Sequence, residues 1–168
     1  TSPVTDGFAE FTINIKQGTF VTNEFVVDTS QPNQKFILPN PYVDTSTLKV
    51  QVRDTLTSSS RKTYSQIDNI VGISTHSETF LIQEIQDEKY ELLFGDGVLG
   101  KRLSNGNVIN STYIVTDGVG GNGVSNFSFS GKLVDNDGGL ITSGISDVIT
   151  NERSSNGAEV ESIDTIRN

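Results

Sequence analysis

The sequence contains no cysteine, no methionine and no tryptophan, and it has one histidine and four prolines. Without cysteine there is neither a disulfide framework nor a thiolate metal site, so stability must come from packing and strand pairing, and assembly in a reducing cytoplasm fits. With His76 as the single imidazole, a metal site would have to be built from carboxylates, and no metal is expected. No run approaches the ~20 apolar residues of a membrane span, and no charged-then-apolar leader opens the chain, so a soluble protein with no membrane partner is expected. Positive charge is scarce: 12 Lys and Arg stand against 21 Asp and Glu, giving a net charge of −9 and a pI near 4.4. Such a field repels phosphate backbones, so nucleic acid is not an expected partner. The acidic residues are scattered, which describes a solvated surface and not a cation-binding face. The missing methionine, including at position 1, together with the way the last residues stop, leads to the expectation of a segment of a longer protein.

Hydrophobic residues make up 33% of the 168-residue chain, while Thr, Ser, Asn and Gly are abundant. That balance predicts a mainly β fold, β-rich α+β at most, with antiparallel strands and hairpins, long polar loops and a short helix at the carboxyl-terminal end. Phe8 to Ile15 alternates like a half-buried strand, and with Thr19 to Val27 it predicts a hairpin turning at Gln17-Gly18. Phe36 to Leu38, followed by Pro39 and Pro41, reads as an edge or strand end. Leu48, Val50 and Val52 alternate with Lys49, Gln51 and Arg53, giving one wet face. The Ser-rich stretch 55–62 is the best boundary candidate and suits a long hairpin loop equally well. The expected organisation is a β subdomain over residues 1–54, a β-rich core over 55–156 and the start of a helical segment over 157–168. Tyr64, Ile67, Ile70 and Val71 suggest one or two helical turns, and Thr79 to Ile85 with Glu88 to Phe94 suggest a hairpin around Gln86-Asp87. Phe127 to Val134 and Ile141 to Thr150 read as later strands, and Ser162 to Arg167 as a short helix.

The chain is organised around Tyr90 to Ile109, in which an apolar strand, a turn carrying Gly95, Asp96, Gly97, Gly100 and Gly106, and a second β-branched run follow one another. Gly95 to Gly100 spells G-x-G-x-x-G after a strand. That fingerprint cradles pyrophosphate only where a helix begins in the loop, and Ser104-Asn105-Gly106 interrupts any such helix, so no nucleotide cofactor is expected. A chain reversal needs residues that tolerate φ > 0, which predicts a positive φ for at least one of Gly95, Gly97 and Gly100.

The same residues carry a resemblance. Phe94-Gly95-Asp96-Gly97, Gly100 and Gly106, then Tyr113 and Gly118-Val119-Gly120-Gly121-Asn122, resemble the core signature of the baseplate J-like family of contractile bacteriophage tails. Gly157-Ala158-Glu159-Val160-Glu161-Ser162-Ile163-Asp164-Thr165-Ile166-Arg167 is similar to that family's next segment, so the likeness spans about Tyr64 to Asn168. Many members carry proline between the last two glycines, where this chain has Leu103. The resemblance implies a structural wedge subunit of the virion's tail baseplate, assembled in the host cytoplasm, whose partners are other wedge proteins and further copies of itself. A glycan- or receptor-binding β-module such as a fibre adhesin is the alternative.

Chemistry is sparsely represented. His76 lies in the polar run Ser74-Thr75-His76-Ser77-Glu78, and no G-x-S-x-G accompanies it, so a catalytic triad is not expected and no catalytic residue is assigned. Asp135-Asn136-Asp137-Gly138-Gly139 has the look of a calcium loop, but the twelfth position falls on Ser146 and not on a glutamate, which favours an Asx-rich turn. Asn110-Ser111-Thr112 and Asn126-Phe127-Ser128 match the glycosylation pattern without any sign of a secretory route. The low apolar content further suggests a chain that is mainly monomeric by itself.

Overall fold

The computed structural model describes residues 4–5, 8–9, 11–135, 137–142, 144 and 148–158. It is mainly β, as the composition predicts. Contacts divide the chain into two compact units, Thr1–Val115 and Thr116–Asn168.

The first unit is built on a nearly closed, seven-stranded mixed sheet. Two short strands, β1 (Val4–Thr5) and β2 (Phe8–Ala9), pair with each other. The sheet itself comprises β3 (Thr19–Val26), β4 (Phe36–Ile37), β5 (Val43–Arg53), β6 (Lys62–Gln66), β7 (Thr79–Ile85), β8 (Lys89–Phe94) and β9 (Val108–Val115). Its order is β3-β9-β5-β6-β7-β8-β4. All neighbours are antiparallel except β6 and β7, which run parallel in the register Ser65 with Thr79.

Period-two alternation explains which side chains face inward. Val50 and Val52 of β5, Tyr64 of β6, Phe80 of β7, Leu92 of β8 and Ile109 and Tyr113 of β9 are buried in one cluster with Leu38 and Leu103. Phe36 packs edge-on against both Phe25 and Phe94, with ring centroids 5.7 Å apart in each pair. The Phe25 contact brings the two ends of the sheet together, because Phe25 lies on one edge strand and Phe36 on the other. The opposite faces of β3, β9 and β5 are tied by a polar trio: Arg53 Nη2 lies 2.5 Å from Glu24 Oε2, Arg53 Nε donates to Asn110 Oδ1 at 2.9 Å, and Asn110 Nδ2 donates to Glu24 Oε2 at 2.8 Å. Asn110, the acceptor position of the first glycosylation match, is therefore a buried strand residue engaged on both sides.

The hairpin around Gln86-Asp87 is present, with Asp87 and Glu88 at φ 64° and 58°. β4 is the edge strand that its prolines suggested. Several expectations need correction. Residues 11–17 belong to no strand and do not pair with β3, which instead pairs with β9, so the first predicted hairpin does not form. Tyr64 sits in a strand with exposed neighbours at Thr63 and Ser65, and Ile70 and Val71 are exposed, so the helix-like spacing there is coincidental. The stretch 55–62 is not a boundary: β5 and β6 pair antiparallel across it, because a Ser-rich hairpin loop and a linker share the same composition.

The second unit, described by itself, has a 3₁₀ turn at Gly118–Gly121 and one hairpin of β10 (Leu133–Val134) and β11 (Leu140–Ile141). Asp135 Oδ1 accepts from the backbone N–H of Asp137 at 3.0 Å and of Gly139 at 2.7 Å, the Asx turn favoured over a calcium loop. Phe127 to Lys132 is not a strand, and Phe129 is exposed, since among the described residues no strand pairs with that stretch. The strand predicted from Ile141 to Thr150 is limited to its first residue among those described, and the helix expected at 162–167 lies outside the described residues.

Candidate functional site

The glycine turn is the feature that sequence reading singled out, and its geometry can be followed residue by residue. β8 and β9 are not neighbours: β8 lies between β7 and β4, whereas β9 lies between β3 and β5. The turn is thus a crossing between two parts of the sheet, not a simple reversal. Its anchor is the polar run 74–78, noted in the sequence only as the setting of His76: Gly100 N–H donates to Ser74 O at 3.2 Å and Lys101 N–H to Ser77 O at 2.9 Å. Lys101 Nζ also lies 2.8 Å from Glu78 Oε1, and this hydrogen bond raises the lysine pKa. A scatter of short polar residues such as 74–78 carries no periodicity by which it could have been found.

Within the turn, Gly95, Gly97 and Gly100 are brought together. Gly97 N–H donates to Gly100 O at 3.1 Å, and Gly97 and Gly100 have φ of 92° and 85°. Gly95 has no positive φ; its need is closeness, since a Cβ there would lie 2.2 Å from the carbonyl carbon of Gly100. Backbone cannot yield to that as a flexible side chain would. Asp96 Oδ1 accepts from Val98 N–H at 2.8 Å and Leu99 N–H at 2.9 Å, and these backbone hydrogen bonds hold its carboxyl below the usual carboxylate range. Gly106, at φ 81°, stands apart from the others and donates its N–H to Val27 O at 2.8 Å. Leu103, at the place where the resemblance departs, is buried in the core cluster.

The other segments of the resemblance also meet. In the second unit, Asn122 Nδ2 donates to Gly157 O and Gly157 N–H donates to Asn122 Oδ1, both at 2.8 Å. A Cβ on Gly157 would lie 2.1 Å from Gly118 O, so glycine is required there as well. Ser154 strengthens the junction, exchanging backbone bonds with Gly123 at 2.8 Å and Val124 at 2.9 Å. Tyr113, in the first unit, is fully buried and donates its hydroxyl to Asn40 Oδ1 at 2.8 Å.

Beside the glycine turn is an open groove of about 330 Å³, with Phe36, Leu92, Phe94 and Leu103 below and Asp28, Glu91 and Arg102 among its polar groups. Asp28 is engaged by Ser30 and Gln31, whose side-chain hydrogen bonds lower its pKa, and Glu91 lies 3.2 Å from Lys35 Nζ. His76 is exposed, with Nδ1 2.9 Å from Thr75 Oγ1. Among the described residues no three His, Asp or Glu side chains converge as a metal site would require. No family model matches the chain, and no curated protein matches it.

Proposed function

We propose that this chain is a structural part of a contractile phage-tail baseplate, a wedge subunit that joins its neighbours into a ring around the hub and supports sheath contraction. The observation that carries the reading is the use to which the family-like residues are put. Gly95, Gly100 and Asp96 form one junction whose backbones touch, and Gly118, Asn122 and Gly157 form another, so both segments of the resemblance are used where the chain passes close to itself. Close chain crossings of this kind suit a scaffold, in which strands hold shape and loops and edges meet partners. Other wedge proteins and further copies of the same chain are the partners this role requires. The test is mass spectrometry of the protein isolated from its native source with whatever co-assembles. A fixed, stoichiometric set of tail proteins is the expected result. Specific, saturable signals on a glycan array from a protein that assembles with nothing would replace this reading with that of a receptor-binding module.

A further inference from the structure

An asparagine followed by glycine is the chain step most prone to spontaneous deamidation, because glycine has no Cβ to keep its backbone nitrogen from reaching the asparagine side-chain carbon. Three such steps occur: Asn105-Gly106, Asn122-Gly123 and Asn156-Gly157. In each, the glycine N–H is held in a hydrogen bond. Gly106 N–H donates to Val27 O and Gly123 N–H to Ser154 O, both at 2.8 Å. Gly157 N–H donates to the side chain of Asn122, whose Oδ1 lies 2.8 Å away. A nitrogen so engaged must leave its acceptor before it can attack, so each step reacts through local opening. The three differ in what that opening requires.

Asn105 is tied to the core. Its Oδ1 accepts from Thr29 N–H at 3.0 Å, and Val27, which receives the Gly106 bond, is buried. Asn122 is held at both atoms of its amide by Gly157, but in a unit whose described residues include no buried apolar side chain. Asn156 is exposed, and its attacking nitrogen is held by the Asn122 amide. We infer that this junction is the chain's site of spontaneous deamidation, beginning at Asn156 and passing to Asn122. Gly157 N, losing its proton to base, bonds to Asn156 Cγ, and the Cγ–Nδ2 bond breaks to release ammonia. Water then opens the cyclic imide at either carbonyl and leaves aspartate or isoaspartate in place of the asparagine, so the net change is water consumed and ammonia released. Isoaspartate carries the main chain through its side-chain carbons, which lengthens the chain and draws Gly157 away from the paired amide. Asn122, released from both bonds, is then attacked by Gly123 N in the same way. The inference rests on the chemistry of these steps and is independent of the baseplate reading.

Peptide mapping of the whole chain, incubated at mildly alkaline pH natively and in urea, follows the amide-to-acid mass gain and separates the two products by chromatography. In urea the three steps should react at similar rates. In the native chain Asn156 should react first, Asn122 after a lag, and Asn105 at least about tenfold more slowly than Asn156. Asn156→Gly suits the φ of 68° at that exposed position and has no amide to cyclise, so it should slow the loss of Asn122 at least about threefold. Asn122→Ala removes the acceptor of Gly157 N–H and should speed the reaction of Asn156 by a similar factor, while an unaltered rate at Asn105 shows that the first unit is still folded. Native rates equal to those in urea, Asn105 reacting first, an intact Asn156 when the unfolded chain has fully reacted, or either variant failing to shift the other asparagine in the stated direction overturns it.

Discussion

Among the described residues every buried hydrophobic side chain lies between Val27 and Tyr113, and those from Thr116 to Ala158 include none. The two units are held by different forces. In the first, strands bury Val50, Phe80, Leu92 and Ile109 against one another, and removing such area from water supplies the main stabilisation. In the second, stability among the described residues rests on hydrogen bonds such as those joining Asn122 to Gly157 and Gly123 to Ser154, with Val148 and Ile149 exposed. Hydrogen bonds open to water contribute little net free energy each. A chain can thus carry similar turns in two places and be firm in only one.

The sharpest way to break that contrast is a matched pair of truncations. Phe80→Ala should destabilise the protein by about 3–5 kcal/mol in urea unfolding, whereas Phe129→Ala should stay within about 0.5 kcal/mol. Equal effects would mean that Phe129 has a packing partner. The glycines offer the next test. Gly95→Ala forces backbone apart and should lower stability by about 3 kcal/mol, while Gly106→Ala, with open space around its Cβ, should cost about 1–2 kcal/mol through its positive φ alone. A smaller loss at Gly95 than at Gly106 would contradict the close approach. Amide hydrogen exchange then compares the units directly: strands β5, β8 and β9 should exchange only by global unfolding, and residues 118–158 should exchange much earlier. Matching protection would dissolve the distinction.

The smallest expected effect concerns Asp96. Its folded-state pKa is depressed, so its contribution is present above the unfolded pKa and is lost as pH falls through the folded one. Acidification below the ordinary carboxylate range should loosen the turn, seen as faster exchange at Val98 and Leu99, and Asp96→Asn should remove that dependence. Exchange at these two amides that is insensitive to acid in the original chain would show that the carboxylate does not hold the turn.

Local patterning made much of the fold legible. The hairpin of β7 and β8 follows from two apolar runs around Gln86-Asp87, the edge position of β4 from Pro39 and Pro41, and the Asx turn at Asp135 from its own side-chain chemistry. What failed was pairing. Residues 11–17 have the alternation of a strand, but alternation reports which side chains would share a face and not whether a partner edge is within reach. The glycine turn shows the same split. Its residues could be named from the sequence, yet the loop at Ser74 to Glu78 that anchors it has no pattern to betray it.

By itself the sequence determined the class of the protein: short β-rich runs, polar turns, no thiol chemistry and too few imidazoles for a histidine-built metal site, since these depend on residue identity and spacing of a few positions. Only the tertiary structure decided that β8 and β9 lie apart, that Gly95 must be glycine because of Gly100, that Asn122 finds Gly157, and that β3 pairs with β9. Each of these joins residues through space, and a contact between distant positions is fixed by the whole set of strands competing for one core and for one another's edges.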